Sequence, residues 1–509
     1  MIISLSVLVI TIIVSGTYAL YKTQLSKNIG VNTTTHGLAY YINYVKGTDI
    51  TAATLNPSTS YESGASSDIE FWKKDDSYDI YGKIDLTVNT IGTNLKNSPA
   101  LKYAVVNNGN VLSTGSLKGT TSGSKVTILK NLYLEQTKQI YTVYVWLDNS
   151  EELGNISNES LSISVDCTAS LQKEPTAADT IISLYTSAAK VTATNNSITY
   201  NTAPSVSLMN DRLGGTTTDL DGGNIRYYGA NPNNYIYFNC SDYSNQTSST
   251  CEVWRIIGVF DGKLKLIKSE SIGAYSWDNK DTSTGAESDT GKNDWTTARL
   301  MKLLNPSDYY VVDSNDNELG QSLYWNSASG KCYSGFQNAI VDCDFTSTGI
   351  KNDTTRNMIA DVIWNLGGSD TNKVYLNQMY EYERGTTVYT GRPTIWTGKI
   401  ALAYLSDYGY AVDLNECKDK ALYDYDSIPC ESYNWIKAIL GTSGFEWLLA
   451  VTYNDATGVG FVRSSGVPYN NGPAAGEQKV VPVLYLSSEL GIESGAGDGS
   501  SSNPYKLSI

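Results

Sequence analysis

The sequence predicts a multidomain protein, with an all-β sandwich followed by an α+β domain. Hydrophobic residues alternate with polar ones from about Gly37 to Val165, which is the pattern of half-buried strands. Eight of the ten Trp and six of the seven Cys lie after Asn224, where helical and strand patterns mix. The 509 residues are enough for about two to four compact units.

The composition narrows the class of protein. Charged residues make up 17% and hydrophobic residues 41% of the chain, which fits a globular protein and not a disordered polyelectrolyte or a multi-span membrane protein. The formal net charge of -15 repels phosphate backbones, so a nucleic-acid partner is not expected. A single histidine, His36, removes the commonest general base and metal ligand from almost the whole chain.

Residues 1–21 are predicted to be a signal peptide or a membrane anchor. Positions 2–20 carry no charge before Lys22, a length that suits a signal-peptide core and just spans a bilayer. Small residues at Thr17 and Ala19 allow cleavage after Ala19, and retention as an anchor is the alternative. Both readings predict export, and membrane attachment follows only if the segment is uncleaved.

Residues 22–168 are predicted to form an antiparallel β-sandwich. A turn is expected over residues 107–110, because Asn and Gly tolerate positive φ. Hydrophobic side chains recur at every second position in four segments, which are Ile69 and Phe71; Ile84, Leu86 and Val88; Leu101, Tyr103 and Val105; and Tyr141, Val143, Val145 and Leu147.

Residues 169–223 are predicted to be a linker with one short helix. The composition shifts to Ser, Thr, Asn and Gly in this stretch. Thr176 and Asp179 have the spacing of a capping box ahead of hydrophobic residues at helical spacing. A helix over residues 177–189 is therefore expected. Elsewhere in the linker, few contacts are expected between the two domains.

Residues 224–509 are predicted to form the α+β domain, with long irregular connections. The strongest local pattern is a hairpin of residues 254–260 and 263–267 around Asp261 and Gly262. The glycine-rich stretch 464–476 is expected to be a loop and not a strand. Helices are expected near residues 294–305, 354–366 and 435–440, and strands near residues 395–396, 399–404, 447–453, 459–463 and 480–486.

The cysteine spacing predicts three local disulfides and one free thiol. The three neighbouring pairs lack the short spacing of zinc ligands, and disulfides persist only in an oxidising compartment. Each bridge should stabilise the fold by about 3 kcal/mol in the chain-entropy model. Cys167 is left over and is expected to be a small core residue. The predicted pairs are Cys240 with Cys251, Cys332 with Cys343, and Cys417 with Cys430.

Several motifs of the second domain resemble those of a known group. The segments 224–235, 254–268, 294–300 and 481–486, with the tail 502–505, are similar to a group of largely uncharacterised exported proteins of Firmicutes. The C-terminal domains of that group resemble the C-type-lectin-like fold of the sulfatase-modifying-factor type. The resemblance implies such a domain over residues 224–509.

The first domain has a second, shorter resemblance. Residues 15–19 and the strand 141–148 resemble the camelysin-like biofilm-matrix fibre proteins. Those proteins pass through a dedicated signal peptidase and form a jelly-roll sandwich. The resemblance implies a jelly-roll-like sandwich for residues 22–168, and a structural subunit of an extracellular fibre as an alternative function.

The sequence offers no catalytic constellation, so an enzyme is not expected. No G-x-S-x-G elbow occurs, and His36 lies in the other domain. Formylglycine-generating enzymes of the related fold hold copper with two cysteines, but the three disulfides already use the cysteines of this domain. Calcium-dependent sugar binding is also disfavoured, because the Glu-Pro-Asn triplet of such lectins is absent and residues 453–455 only approximate the Trp-Asn-Asp triplet. Neither a metal nor another cofactor is predicted.

A binding surface is the remaining prediction, because Tyr supplies a large contact area at low entropic cost. Core packing is the alternative for most of these rings. We therefore expect an exported bacterial cell-surface protein, either extracellular or anchored. Its expected partner is a host or bacterial surface glycan or protein, and self-association is a further expectation. The candidate contact residues, expected to converge from two segments, are Tyr404, Tyr408, Tyr410, Tyr469, Asn470 and Asn471.

Overall fold

A computed structural model describes most of the chain and divides it into two compact units between Glu174 and Pro175. Strands hold 39% of the residues and helices 15%, in several antiparallel sheets. No helix among the described residues is both long and apolar enough to span a bilayer. The predicted signal peptide or anchor, residues 1–21, lies outside the described part. The described residues are 23–25, 41–52, 55–149, 153–156, 159–212, 223–243, 245–279, 290–312, 319–334, 339–440, 445–493 and 495–508.

The first unit consists of two antiparallel sheets that contribute to one hydrophobic core, as the period-two pattern predicts. One sheet has the order β1-β11-β6-β9, with β3 also on β11, and the other has the order β2-β5-β10-β7-β8, with β4 on β10. The inward positions Phe71, Leu86 and Val143 are fully buried. The strands are β1 (Thr23–Leu25), β2 (Ile42–Val45), β3 (Ile50–Ala52), β4 (Pro57–Ser58), β5 (Ala65–Lys73), β6 (Tyr81–Ile91), β7 (Leu101–Asn107), β8 (Asn110–Ser116), β9 (Lys125–Tyr133), β10 (Ile140–Asp148) and β11 (Leu161–Ser170).

Two local predictions for this unit are confirmed. Asn108 and Gly109 adopt φ of 49° and 78° between β7 and β8, which is the conformation that a two-residue hairpin turn requires. Cys167 is a free cysteine, and its side chain is fully buried in the core. Burial raises the pKa of the Cys167 thiol well above its ordinary value, so the thiol stays protonated and unreactive.

The described residues of the segment 169–223, which was predicted as a linker, are divided between the two units, with residues 169–174 in the first and residues 175–212 in the second. Thr176 and Asp179 do form the predicted capping box, ahead of α1 (Ala177–Ser187), and α1 packs against the central sheet. Beyond it, however, three strands form an antiparallel ladder with the strand that follows. These are β12 (Val191–Asn195), β13 (Ile198–Ala203), β14 (Leu208–Asn210) and β15 (Ile225–Tyr227).

The polar composition of this ladder explains the wrong prediction. β12 is an edge strand whose Thr192 and Thr194 side chains are exposed, while Ala193 and Asn195 are buried. Tyr200, Leu208 and Met209 supply the buried face. Short edge strands with one polar face have the composition of a loop.

A central sheet of nine strands organises the second unit, in the order β12-β13-β14-β15-β17-β18-β29-β24 with β16 on β17. The predicted hairpin is confirmed, with Asp261 and Gly262 at φ of 48° and 69°. The hairpin consists of β17 and β18. Besides β12 to β15, the central sheet contains β16 (Tyr235–Phe238), β17 (Glu252–Phe260), β18 (Lys263–Lys268), β24 (Ile400–Ala401) and β29 (Val483–Tyr485).

A second sheet of this unit has the order β19-β28-β25-β26-β27. It includes β27 in the stretch 464–476, which was expected to be a loop. Backbone bonds between Val459 and Gly472 and between Val462 and Pro468 hold β27 as an edge strand, a position that tolerates Pro and Gly. The strands are β19 (Ala274–Ser276), β25 (Phe445–Val451), β26 (Gly458–Arg463), β27 (Pro468–Pro473) and β28 (Glu477–Lys479).

Three two-stranded sheets and six short helices complete the unit. The predicted helix 354–366 ends early and continues as a strand, because Val362, Ile363 and Trp364 favour extended backbone. The small sheets are β20 (Ser329–Tyr333) with β21 (Ile340–Asp344), β22 (Val362–Asn365) with β23 (Ile395–Gly398), and β30 (Gly491–Ile492) with β31 (Leu507–Ser508). The helices are α2 (Arg299–Leu304), α3 (Asp353–Met358), α4 (Leu376–Arg384), α5 (Leu405–Tyr410), α6 (Ile428–Ser432) and α7 (Trp435–Leu440).

All three predicted disulfides are confirmed. Their Cα atoms are 3.8, 5.9 and 4.9 Å apart for Cys240–Cys251, Cys332–Cys343 and Cys417–Cys430. The second bridge joins the two strands of the β20–β21 hairpin.

Candidate functional site

Three of the candidate contact residues lie in the core and not at a surface. Tyr404, Tyr408 and Tyr410 are 2%, 0% and 1% exposed. The Tyr408 hydroxyl donates to the Gly466 carbonyl at 2.8 Å, and the Asn365 backbone N–H donates to the Tyr404 hydroxyl at 2.7 Å. Their assignment to a recognition face is therefore corrected, since no ligand can reach these rings.

Tyr404 and Tyr410 lie against a group of paired charges, which we call the buried ion network and which consists of Asp211, Arg226, Lys265 and Asp407. Arg226 contacts both Asp211 and Asp407, and Lys265 contacts the other oxygen of Asp407. Asp407 also caps α5 by accepting the Tyr404 backbone N–H at 2.9 Å. The four side chains are at most 3% exposed.

The charges of this network balance, and aromatic rings enclose it. Arg226 lies 4.7 Å from the Tyr410 ring, and Lys265 lies 4.4 Å from the Tyr404 ring. Burial lowers the pKa of Lys265 to about 8, although Asp407 opposes the shift. Burial alone would raise the pKa of Asp407, but the two cations hold it below its ordinary value. The network joins β15, β18 and α5, and we interpret it as structural.

The other three candidates lie on β27, and only two of them face outward. Tyr469 is half-buried and Asn471 is exposed, whereas Asn470 is 9% exposed. The Asn470 amide donates to the Ser369 carbonyl at 3.4 Å, and its backbone carbonyl accepts from the Thr452 hydroxyl. The assignment of Asn470 as a contact residue is therefore corrected, because alternation along the strand turns it toward the core.

Around Tyr469 the structure places a group of side chains that we call the aromatic platform, consisting of Phe445, Phe461, Arg463 and Tyr469. Phe445 lies opposite Arg463, and Phe461 lies opposite Tyr469. Residues directly opposite in antiparallel strands share one face of the sheet. The platform therefore spans the three adjacent strands β25, β26 and β27.

The rings of the platform are in direct contact. The Phe461 ring lies 5.4 Å from the Phe445 ring and 5.6 Å from the Tyr469 ring, and the last two planes are stacked at 30°. The Arg463 guanidinium lies over the Tyr469 ring at 3.9 Å from its centroid. Phe461 is buried beneath the others, whereas Phe445 is 41% exposed and Arg463 and Tyr469 are half-buried.

The opposite face of the same strands is buried. Glu446 is 1% exposed, its Oε2 has no hydrogen-bond partner, and burial raises the pKa of its carboxyl group well above the ordinary value. The platform's own face also continues into the core at Trp447, which is opposite Phe461 and 0% exposed. The platform is therefore the exposed aromatic and cationic end of this face, which is why we take it as the candidate site.

The signal for the platform was present in the sequence. Phe445 and Trp447 are two residues apart, as are Phe461 and Arg463, so each pair had to share a strand face. Strands were expected near both pairs. The missing information was the pairing register, which decides whether the two pairs meet.

The described residues offer no group of three His, Cys, Asp or Glu side chains that could hold a metal ion. His36 and the acidic stretch 313–318 lie outside the described residues. No protein-family model matches the chain, and no curated protein matches it. The two resemblances inferred from short motifs remain predictions.

Proposed function

We propose that this protein is an exported bacterial cell-surface protein that recognises or adheres to a surface glycan or protein through its C-terminal unit, without catalysis. The observation that carries the proposal is the aromatic platform. Tyr and Arg are enriched among the residues that dominate binding energy at interfaces. In the platform they lie on paired strands, which hold a binding site more rigidly than loops do.

Two further features support the proposal. Three disulfides indicate an oxidising compartment, which agrees with export. Two sheets and short helices with long connections are compatible with the C-type-lectin-like fold that the sequence motifs imply for this unit. We also propose that the first unit is a jelly-roll-like sandwich.

The test is adhesion of the immobilised protein to host cells, mucin and other bacteria. A double variant, Phe445→Ala with Tyr469→Ala, should weaken adhesion at least about tenfold, because hot-spot rings contribute about 2 kcal/mol or more each. Tyr433→Ala is the matched control, since Tyr433 is 40% exposed elsewhere on the same unit. Undiminished adhesion of a folded double variant would contradict the proposal.

A second candidate function is a structural subunit of an extracellular fibre, and one observation favours it. β8 is an edge strand of the first unit, and its Val111 and Leu112 are 45% and 41% exposed. An edge strand with exposed apolar residues is a template for pairing with another chain. Electron microscopy of the purified protein should show filaments that Leu112→Lys abolishes. A protein that stays monomeric at high concentration would exclude this candidate.

A further inference from the structure

We propose that the aromatic platform binds an acidic saccharide, with the sugar carboxylate on Arg463 and the sugar ring over Phe445. This inference rests on the proposed recognition function and names its ligand class. It goes beyond the sequence resemblances, because it requires neither calcium nor the lectin triplets.

Arg463 differs from three other arginines of the unit in its contacts. Arg226, Arg356 and Arg384 each contact a carboxylate. Arg463 makes no ion pair and no side-chain hydrogen bond with any described residue, and its one contact of this kind is the stack on Tyr469. Stacking uses the face of the guanidinium and leaves the N–H groups at its edge free. A free guanidinium edge matches the two oxygens of a carboxylate.

The exposed ring surface of the platform indicates the shape of the ligand. Phe445 presents ring surface to solvent beside the guanidinium, whereas the Tyr469 ring is covered by Arg463 and stacks with Phe461. The C–H groups on one face of a sugar ring form a flat apolar surface that fits such a ring. An acidic peptide side chain would pair with Arg463 but would leave the Phe445 ring uncovered. A sugar that carries a carboxylate satisfies both parts of the platform.

The polar neighbours of the platform suit sugar hydroxyls. The Tyr469 hydroxyl makes no hydrogen bond with a described residue. Ser465 is exposed in the turn between β26 and β27. These groups can donate and accept, as hydroxyls require.

The charge of the chain limits the ligand to few charges. The formal net charge of -15 opposes the approach of a densely charged polyanion. A single carboxylate per sugar, met by one free Arg, is compatible with that field. The contact should weaken as salt is added, because the pair is partly exposed.

The experiment compares each acidic saccharide with its own methyl ester, so that only the charge differs. Calorimetry with the full chain uses 3′-sialyllactose and galacturonic acid, which represent the two common sources of a sugar carboxylate and carry one charge each. The acid should bind at least about tenfold more tightly than the ester for one or both sugars. Arg463→Gln should remove that preference, and Arg463→Lys should retain part of it.

Two control variants separate charge from stacking. Phe445→Ala should weaken binding of the acid and of the ester alike. Lys331→Gln removes an exposed cation from the β20–β21 hairpin and should change neither. Folding of each variant is checked by near-ultraviolet circular dichroism, so that lost binding reports on the contact.

The outcomes distinguish this inference from the function on which it rests. Equal binding of acid and ester overturns the acidic preference. No saccharide binding, together with adhesion to cells that still depends on Phe445 and Tyr469, overturns the saccharide but leaves recognition intact. Adhesion that does not depend on the platform overturns both.

Discussion

Two arginine–tyrosine groups in the second unit have similar composition and opposite environments. In the buried ion network, Arg226 lies 4.7 Å from the Tyr410 ring and pairs with two aspartates. In the aromatic platform, Arg463 lies 3.9 Å from the Tyr469 ring and pairs with no carboxylate of the described residues. A stacked Arg–Tyr pair is therefore not by itself a sign of a site. Exposure and the absence of a counter-charge separate the candidate contact from the structural one.

The largest expected effect is the loss of a charge inside the network. Asp407→Asn leaves Arg226 and Lys265 short of a counter-charge at 1% exposure or less. Breaking a buried pair in this way should lower the free energy of unfolding by about 3–5 kcal/mol. Urea unfolding, followed by Trp fluorescence, measures this loss. A change below about 1 kcal/mol would show that the network is solvated. The contrast between the buried ion network and the exposed aromatic platform would then be wrong.

The next effect is the loss of one buried hydroxyl. Tyr408→Phe removes the donor to the Gly466 carbonyl, and the free energy of unfolding should fall by about 2 kcal/mol because the buried carbonyl loses its partner. Tyr469→Phe is the matched change on the platform and should be close to neutral. Equal losses at both positions would mean that Tyr469 is as structural as Tyr408.

A smaller, pH-dependent effect is expected on the core side of the platform strands. Burial raises the folded-state pKa of Glu446 above its ordinary value of 4.5. The folded state then binds more protons than the unfolded state, so stability falls as pH rises from about 4.5 through the raised pKa. Glu446→Gln removes this penalty and should stabilise the protein at neutral pH by about 1 kcal/mol. Thermal unfolding at several pH values should show the variant's advantage shrinking toward pH 4, and an advantage independent of pH would argue against a buried charge.

The smallest expected effect is on the platform itself. Arg463→Gln should change the free energy of unfolding by less than about 0.5 kcal/mol, since a surface substitution without a paired partner costs little. The same urea titration measures it. A loss above about 2 kcal/mol would place Arg463 with Arg226 as a structural residue and would remove the basis of the binding proposal.

The sequence predicted those features that depend on neighbours along the chain. Period two identified four of the strands of the first unit, and the Asn-Gly and Asp-Gly turns were confirmed at Gly109 and Gly262. The capping box at Thr176 and the three disulfides are equally local. In each case the interacting residues are separated by few positions, so spacing alone carries the information.

The features that were missed depend on partners far along the chain. Asp407 is buried because it meets Lys265, 142 residues away, and no local pattern at residues 404–410 records that contact. The strands in the predicted linker are held by β15 and the central sheet. The aromatic platform required the register of β25, β26 and β27. Tertiary contact overrides local propensity at these positions.

The disulfide pattern has a consequence for how the chain matures. Each bridge joins cysteines that are successive along the chain, which is one of the many pairings that six cysteines allow. When a chain emerges from its N-terminus, every bond can close before the next cysteine pair arrives. The odd thiol, Cys167, belongs to the unit that emerges first and is sealed in its core. Oxidation can therefore proceed in chain order, with no competing thiol left to scramble the bonds.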